Sequence, residues 1–218
     1  MKKNKDLTSN YEEIGFIDGN YEDKYNAKNP ISKFLMDGFL HNFKELAQQF
    51  DGSSDILEIG SGEGHLLHIL ADMYPSARFS GCDLSERVNK LARNRLAKYK
   101  NVSIHLEDAE KVTFGNSSFD AIVCCEVLEH LEHPDKGLSE IRRILKPGGV
   151  AIVSVPHEPL WRILNIARFK YVRNFGNTPG HLNHWSSSSF KGFVKSGGFS
   201  IVQNKSPFPW TMLLIQKN

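Results

Sequence analysis

Short apolar runs alternate with amphipathic stretches along most of this chain, and the alternation predicts strands that take turns with helices. Runs in which consecutive positions are apolar are typical of strands buried on both faces of a parallel sheet. Between these runs, apolar residues recur at helical spacing. The predicted strands lie at 56–59, 78–83, 102–107, 119–125, 150–155, 199–202 and 209–216, and the predicted helices at 65–70, 85–98, 136–145 and 190–195. This order of elements predicts an α/β fold with a largely parallel sheet.

Three glycines follow the first predicted strand at every second position. Gly60, Gly62 and Gly64 lie between the strand at 56–59 and the next helix. Glycine permits a positive φ and a close approach of a ligand, and a helix start leaves N–H groups facing the same crevice. The dinucleotide fingerprint would need glycine where His65 stands, and no P-loop lysine follows the glycines. The segment therefore predicts a nucleotide-type pocket of another kind.

Two sequence patterns resemble those of a known family. The glycine segment reads E-x-G-x-G-x-G from Glu58 to Gly64, which resembles motif I of the class I S-adenosylmethionine (SAM) dependent methyltransferases. The run F-D-x-I-V-x-x-E-V-L-E-H-L from Phe119 to Leu131, followed by L-K-P-G-G, resembles methyltransferases of type 11 and of ubiquinone biosynthesis. The resemblance implies a Rossmann-like, seven-stranded, mostly parallel sheet with helices on both faces. It also implies SAM as the methyl donor, with S-adenosylhomocysteine as product.

The same resemblance divides the chain into an N-terminal lid, a SAM-binding domain and a cap insert within that domain. Residues 1–50 are expected to form an N-terminal tail and a helical lid over the SAM pocket. Residues 51–218 are expected to form the SAM-binding domain, with a cap insert at 156–189 after the fifth strand. The aromatic residues before this domain belong either to the lid or simply to the core; they are Tyr11, Tyr21, Tyr25 and the phenylalanines between 34 and 50.

Residues at the ends of the predicted strands are candidates for binding the cofactor. By the resemblance, motif I holds the methionine end of SAM and Asp83 binds the ribose. Leu84, Asp108 and the residue after Asp108 contact the adenine. A carboxylate at a strand end can accept from both ribose hydroxyls; in the alternative, Asp83 caps the next helix and Asp108 is a solvated loop acid. The expected cofactor residues are Glu58, Gly60, Ser61, Gly62, Asp83, Leu84, Asp108, Ala109 and Cys125.

The segment after the fourth predicted strand carries the candidate acceptor chemistry. Glu126, Glu129 and His130 stand at i, i+3 and i+4, so on one helical turn they share a face that can hold Mg²⁺, Mn²⁺ or Zn²⁺. Similar stretches bind a divalent metal in ubiquinone O-methyltransferases and plant small-RNA 2′-O-methyltransferases, and His181 or His184 is the candidate for a further ligand here. Such a metal lowers the pKa of an acceptor hydroxyl. In the alternative, the acids support the helix start and a histidine, His130 or His184, acts as base.

These features predict a SAM-dependent methyltransferase that acts on a hydroxyl of a small or lipid-like molecule. The Asn/Asp-Pro-Pro-Tyr motif of many N-methyltransferases is absent after the fourth predicted strand. Two alternatives stay open. One is an N- or C-methyltransferase acting on a small molecule, and the other is a catalytically silent SAM-binding or partner protein, because fold alone does not fix function.

Charge and composition limit the kinds of partner and compartment that the sequence predicts. A net charge of +2 gives no reason to expect nucleic acid. The sequence has no signal-peptide pattern and no run of about 18 apolar residues, and its three cysteines fall in apolar runs, which together predict a cytoplasmic protein with free thiols. The segment 158–173 mixes aromatic and aliphatic residues with arginine and lysine, which is typical of either a peripheral membrane contact or a cap helix over the acceptor pocket. The oligomeric state is not predicted.

Overall fold

The computed structural model describes residues 30–52, 54–167, 169 and 171–218, and its centre is one seven-stranded sheet. The order of the strands across the sheet is β3-β2-β1-β4-β5-β7-β6. The first five strands run parallel, whereas β7 is antiparallel to both β5 and β6. The strands are β1 (Asp55–Ile59), β2 (Arg78–Asp83), β3 (Val102–Leu106), β4 (Phe119–Cys125), β5 (Leu145–Pro156), β6 (Phe199–Lys205) and β7 (Trp210–Lys217). The predicted mostly parallel, seven-stranded sheet is confirmed.

Helices cover both faces of the sheet. They are α1 (Pro30–Ala47), α2 (His65–Met73), α3 (Glu86–Leu96), α4 (Pro134–Ile144), α5 (Leu160–Ala167) and α6 (Ser187–Ser196). Successive strand side chains point to opposite faces, so Ile56 packs with α1, α2 and α3 in one buried cluster, whereas Leu57 packs with α4 and α6 in another. Each strand therefore separates two apolar layers, which explains why its apolar positions are consecutive in the sequence.

The strand order reverses beside β1, and this reversal positions the site. The chain steps from β1 outward to β2 and β3, then returns to the other side of β1 as β4. In an open parallel sheet the carboxyl ends of the two strands at such a switch point leave a crevice between their loops. The glycine bend lies at the end of β1, so it opens into that crevice.

Several predicted boundaries differ from the observed ones. The predicted strand at 150–155 begins earlier, at Leu145, because Leu145 already pairs with Phe119 across an irregularity in β4. The helix predicted at 190–195 begins at Ser187, where the backbone N–H of Ser189 donates to the Ser186 hydroxyl.

The N-terminal helix and the insert are only partly as predicted. Phe39, Phe43 and Phe50 are buried in the core, but Phe34 is 77% exposed, so the phenylalanines are not uniformly core residues. Tyr11, Tyr21 and Tyr25 lie outside the described residues, as do Arg168 and Lys170 of the insert. The division into lid, core and cap stays a prediction.

Two further findings concern the cysteines and the helices of the described residues. Cys82, Cys124 and Cys125 are free and buried, as their positions in apolar runs predicted. Within the described ranges, every helix is too short or too polar to cross a lipid bilayer.

Candidate cofactor and acceptor site

The glycine bend after β1 is held by the next strand and leaves open space above it. The N–H groups of Gly60 and Ser61 both donate to the Cys82 carbonyl, at 2.7 and 2.9 Å. Gly60 has a φ of 70°, and a Cβ there would lie 2.2 Å from Cγ2 of Val127, so the position requires glycine. Gly62 also has a positive φ, of 50°, but a Cβ there would meet no atom within 4 Å among the described residues. The backbone at Gly62 therefore faces space that a ligand can fill.

Asp83 joins the end of β2 to this bend. Its Oδ2 accepts the Gly62 N–H at 3.1 Å, and its Oδ1 accepts the Ser85 N–H at 3.0 Å at the start of α3. Burial raises the pKa of Asp83, and the N–H groups of Ser85, Gly62 and Leu84 act in the opposite direction. The carboxylate thus lies at the crevice beside Gly62 while it also supports the helix start, so both predicted roles have a structural basis. The ribose contact itself stays a prediction.

The candidate adenine residues follow the same edge of the sheet. The Glu107 N–H donates to the Asp83 carbonyl at 3.2 Å, which sets the chain after β3 beside the end of β2. Asp108 closes a turn there by accepting the Glu110 N–H at 2.9 Å, and it is half-buried rather than a fully solvated loop acid. Leu84 and Ala109 are likewise half-buried. The predicted adenine residues therefore share one edge with Asp83.

Glu58 lies beneath the bend, where it supports α2. The residue is 3% exposed, and its Oε2 accepts the Leu67 N–H in the first turn of α2 at 3.1 Å. Gly64 occupies the N-cap position of α2 and has no side chain to offer, so the Glu58 carboxyl satisfies an N–H group that a capping side chain would otherwise take. Burial raises its pKa well above the ordinary value, and the nearby Asp83 adds to this effect. A contact between Glu58 and SAM stays a prediction, since the carboxyl faces the helix.

The end of β4 brings Cys125 and Glu126 to the crevice beside the bend. Burial raises the pKa of the Cys125 thiol well above its usual value, so the thiol is neutral. Glu126 has a φ of 60°, a left-handed conformation that is unusual for a residue with a side chain. Its carboxylate accepts the Ser154 hydroxyl at 3.1 Å and the Trp210 indole N–H at 2.6 Å.

The prediction that Glu126, Glu129 and His130 share one helical face is therefore wrong for Glu126. The helix at this point is a single 3₁₀ turn, Leu128–His130, and the left-handed residue two positions earlier directs its side chain elsewhere. The next residue, Val127, packs against the α-carbon of Gly60.

Glu129, His130 and His181 form a compact group on the other side of this turn. One ligand atom from each lies within 4.8 Å of the others. The Glu129 side chain is 2% exposed, and its Oε1 is 3.9 Å from His130 Nε2. The ring of His181 meets that of His130 edge to face at 5.0 Å and stacks on Trp161 at 6.3 Å. Of the two histidines proposed as a further ligand, the fold brings His181 to the group.

His184 belongs to a different cluster. Its Nδ1 is 3.7 Å from Glu158 Oε1, and Arg162 Nε is 3.7 Å from the other oxygen of the same carboxylate. Burial lowers the pKa of His184, and Arg162 lowers it further. Burial also raises the pKa of Glu158. His184 is thus paired with an acid and is not one of the Glu129 group, and its predicted catalytic role receives no support from the geometry.

Sequence reasoning did not find three residues of this region. Glu158, Ser154 and Trp210 all contact predicted site residues, and none of them stands in a recognisable motif. Ser154 gave one weak signal, since it is the only polar residue in the apolar run 150–155.

A sheet of this order, with a glycine bend and an acid at its switch point, defines a class I SAM-dependent methyltransferase fold. Residues 57–153 match the family model of a methyltransferase domain, type 11. This part of the chain is similar to the methyltransferases of that family.

Curated relatives are similar over part of the chain, and a solved structure has the same fold. The chain is 32% identical over 134 residues to a demethylmenaquinone methyltransferase of Chlorobaculum parvum, which covers 59% of the chain and 54% of that protein. It is also 32% identical over 127 residues to a ubiquinone/menaquinone biosynthesis C-methyltransferase of Burkholderia vietnamiensis, which covers 56% of the chain and 52% of that protein. The chain thus spans about half the length of these curated relatives. A SAM-dependent methyltransferase from Aquifex aeolicus has the same fold, with a TM-score of 0.68 and 18% identity over 87% of this chain and 94% of that one.

Proposed function

We propose that this protein transfers a methyl group from SAM, and one observation carries the proposal. In a dinucleotide-binding crevice, backbone N–H groups of the glycine turn and the helix start bind phosphates. Here the N–H groups of Gly60, Ser61 and Gly62 are all used within the protein, and the carboxyl of Glu58 occupies the start of α2. The crevice therefore presents the Asp83 carboxylate, whereas the N–H groups of Gly60, Ser61 and Gly62 are occupied, which suits a cationic ligand such as SAM better than a pyrophosphate.

The residues present fit such a ligand. The open space over Gly62 admits the cofactor backbone, and the Asp83 carboxylate beside it can accept from hydroxyls while it orients the ribose. When bound, SAM supplies an activated methyl group on a positively charged sulfur. The protein contributes position, because it holds an acceptor about 3 Å from the methyl carbon.

Calorimetric titration tests this first proposal. We expect SAM and S-adenosylhomocysteine to bind, NAD not to bind, and Asp83→Ala to weaken the binding of both adenosyl ligands by about tenfold or more, since a charged hydrogen bond is worth about 1.5–3 kcal/mol. Asp37→Asn is the matched control, because Asp37 is an exposed acid on α1. Binding of NAD without binding of SAM would overturn the proposal.

For the acceptor we propose a hydroxyl group activated by a divalent metal at Glu129, His130 and His181. One carboxylate and two imidazoles form a donor set of the kind that binds Zn²⁺ or Mn²⁺, whereas Mg²⁺ prefers oxygen ligands. The metal, when bound, lowers the pKa of the hydroxyl. One ligand atom from each of the three residues already lies within 4.8 Å of the others.

Metal binding is measured by titration of the chelated protein with Zn²⁺ and Mn²⁺. We expect His181→Asn and Glu129→Gln each to reduce the affinity about 10-fold or more, and His41→Asn, on the exposed side of α1, to leave it unchanged. Equal affinity in all four proteins, or full turnover after EDTA treatment, would refute the metal.

The relatives favour a second reaction, because one of them is named a C-methyltransferase. Turnover of ¹³C-methyl SAM with hydroxylated aromatic acceptors separates the two, since methyl on oxygen and methyl on carbon give distinct NMR signals. A carbon-bound methyl in the product would replace our hydroxyl proposal. Binding of SAM without turnover of any acceptor would favour the silent alternative.

We also propose that the cap insert contacts a membrane surface. Five large apolar side chains between 163 and 175 are exposed, and Phe169 and Phe175 are exposed by 90% and 81%. The insert is basic, since the sequence 158–175 contains four arginine or lysine residues and one acid. Exposed aromatic side chains flanked by basic ones suit an anionic bilayer.

Co-sedimentation with liposomes tests this contact. We expect binding to vesicles of mixed phosphatidylglycerol and phosphatidylcholine, little binding to phosphatidylcholine alone, and loss of binding in Phe169→Ser/Phe175→Ser. Phe34→Ser is the control, because Phe34 is similarly exposed but lies on α1. Equal binding by both variants, or no binding at all, would rule the contact out.

A further inference from the structure

The loop that ends the cap insert is hydrogen-bonded to the turn that carries His130. The N–H groups of Leu182 and Asn183 donate to the Glu129 carbonyl at 2.8 and 3.0 Å. The Asn183 side chain donates to the Leu131 carbonyl at 2.6 Å and approaches the Leu128 carbonyl at 3.4 Å. Four contacts from two consecutive residues therefore fix this loop against the end of β4.

One consequence of this docking is a defined hydrogen bond to the His130 ring. The Gly180 carbonyl lies 2.8 Å from His130 Nδ1. A carbonyl accepts and cannot donate, so Nδ1 carries the proton. In the neutral ring Nε2 then bears the lone pair, and this is the nitrogen that lies 3.9 Å from the Glu129 carboxylate.

The backbone at Gly180 is suited to this task. Its φ is 91°, a conformation that residues with a side chain rarely adopt. The peptide plane that presents the carbonyl to His130 thus depends on a glycine on one side and on the Asn183 contacts on the other.

We infer that Gly180 and Asn183 are positioning residues that hold His130 as the Nδ1–H tautomer, with Nε2 directed to Glu129. The importance of this arrangement for activity rests on the proposed function, in which Nε2 is a metal ligand or a base. The tautomer itself does not rest on it, because it follows from the Gly180 contact. Residues that orient a metal-ligating histidine through its other ring nitrogen typically contribute about 10–100-fold to metal affinity or activity.

The tautomer is observed directly by NMR of the full chain labelled with ¹⁵N-histidine, in the metal-free protein, at a pH well above the usual histidine pKa. The His130 signals are assigned by comparison with His130→Gln. We expect an Nδ1–H ring in the natural protein and a shift toward the Nε2–H form in Asn183→Ala and Gly180→Ala. Asn94→Ala, an exposed position on α3, is the control and is expected to change nothing.

A second variant separates a change of tautomer from a loss of folding. Asn183→Asp keeps the size and the backbone N–H of Asn183 but removes the side-chain donors, and circular dichroism checks that it is folded. We expect it to shift the tautomer and to lower Zn²⁺ affinity about 10-fold. An Nε2–H ring in the natural protein, or folded Asn183 variants with an unchanged His130 signal, would overturn the inference. A shifted tautomer in a protein that never transfers methyl would refute the proposed function alone.

Discussion

Substitution by alanine should affect stability most at Gly60 and cofactor binding most at Gly62, the two glycines of the bend. Both have a positive φ, and a left-handed residue with a side chain costs about 1–2 kcal/mol. At Gly60 the new Cβ would also lie 2.2 Å from Val127 Cγ2, and such overpacking adds about 1–3 kcal/mol. Gly60→Ala should therefore lower the free energy of unfolding by about 2–5 kcal/mol.

At Gly62 the new Cβ meets no described atom, so only the backbone cost of about 1–2 kcal/mol applies. The methyl group would instead occupy the space that we assign to SAM. Gly62→Ala should accordingly remain folded and lose affinity for S-adenosylhomocysteine by about tenfold or more, which corresponds to about 1.4 kcal/mol.

Urea unfolding and calorimetry measure these two effects. A double-mutant cycle sharpens the first, since Val127→Ala removes the colliding methyl group and should recover about 1–3 kcal/mol of the Gly60→Ala loss. If Val127→Ala recovers nothing, the collision is not the cause of the loss. If Gly62→Ala binds S-adenosylhomocysteine as tightly as the natural protein, the cofactor does not lie over the bend.

Three further predictions concern the carboxyl groups and a histidine. The folded-state pKa of Glu58 is raised, so its contribution to stability is present at low pH and is lost as the pH rises from the ordinary glutamate value of 4.5. Over this rise in pH, urea unfolding should show a smaller loss of stability for Glu58→Gln than for the natural protein. Parallel stability curves for the two proteins would contradict the raised pKa. Trp210→Phe keeps an aromatic side chain but removes the N–H donor to Glu126 and part of the buried ring, so it should cost at least the roughly 1.5–3 kcal/mol in unfolding free energy that is typical of a hydrogen bond to a charged group; no loss would mean that the bond is not formed in solution. His184→Gln should keep most of the methyl-transfer activity while His130→Gln abolishes it, and the reverse order of rates would restore His184 as the base.

The local part of the site was predictable because its signals come from neighbouring residues. The glycine bend, the acid at the end of the second strand and the consecutive apolar strands each depend on backbone freedom or on burial, which a short stretch of sequence expresses. The ends of β1 and β2 are neighbours in the sheet, and the Gly62 N–H donates to the Asp83 carboxylate.

The predictions that were wrong or left open depend on contacts between segments that are distant in the sequence. The helical spacing of Glu126 and Glu129 assumed a regular helix, but the packing of Val127 against Gly60 accompanies a left-handed residue at Glu126. The choice between His181 and His184 depended on how the cap loop docks, and two histidines three positions apart look alike in the sequence.

The sequence by itself determined the strands and the glycine bend, because periodicity and glycine placement are properties of adjacent residues. Only the tertiary structure decided which side chains meet at the end of β4. Trp210 donates to Glu126 across 84 positions, and Gly180 accepts from His130 across 50. Such pairs are set by the packing of whole elements against one another, and no local pattern encodes them.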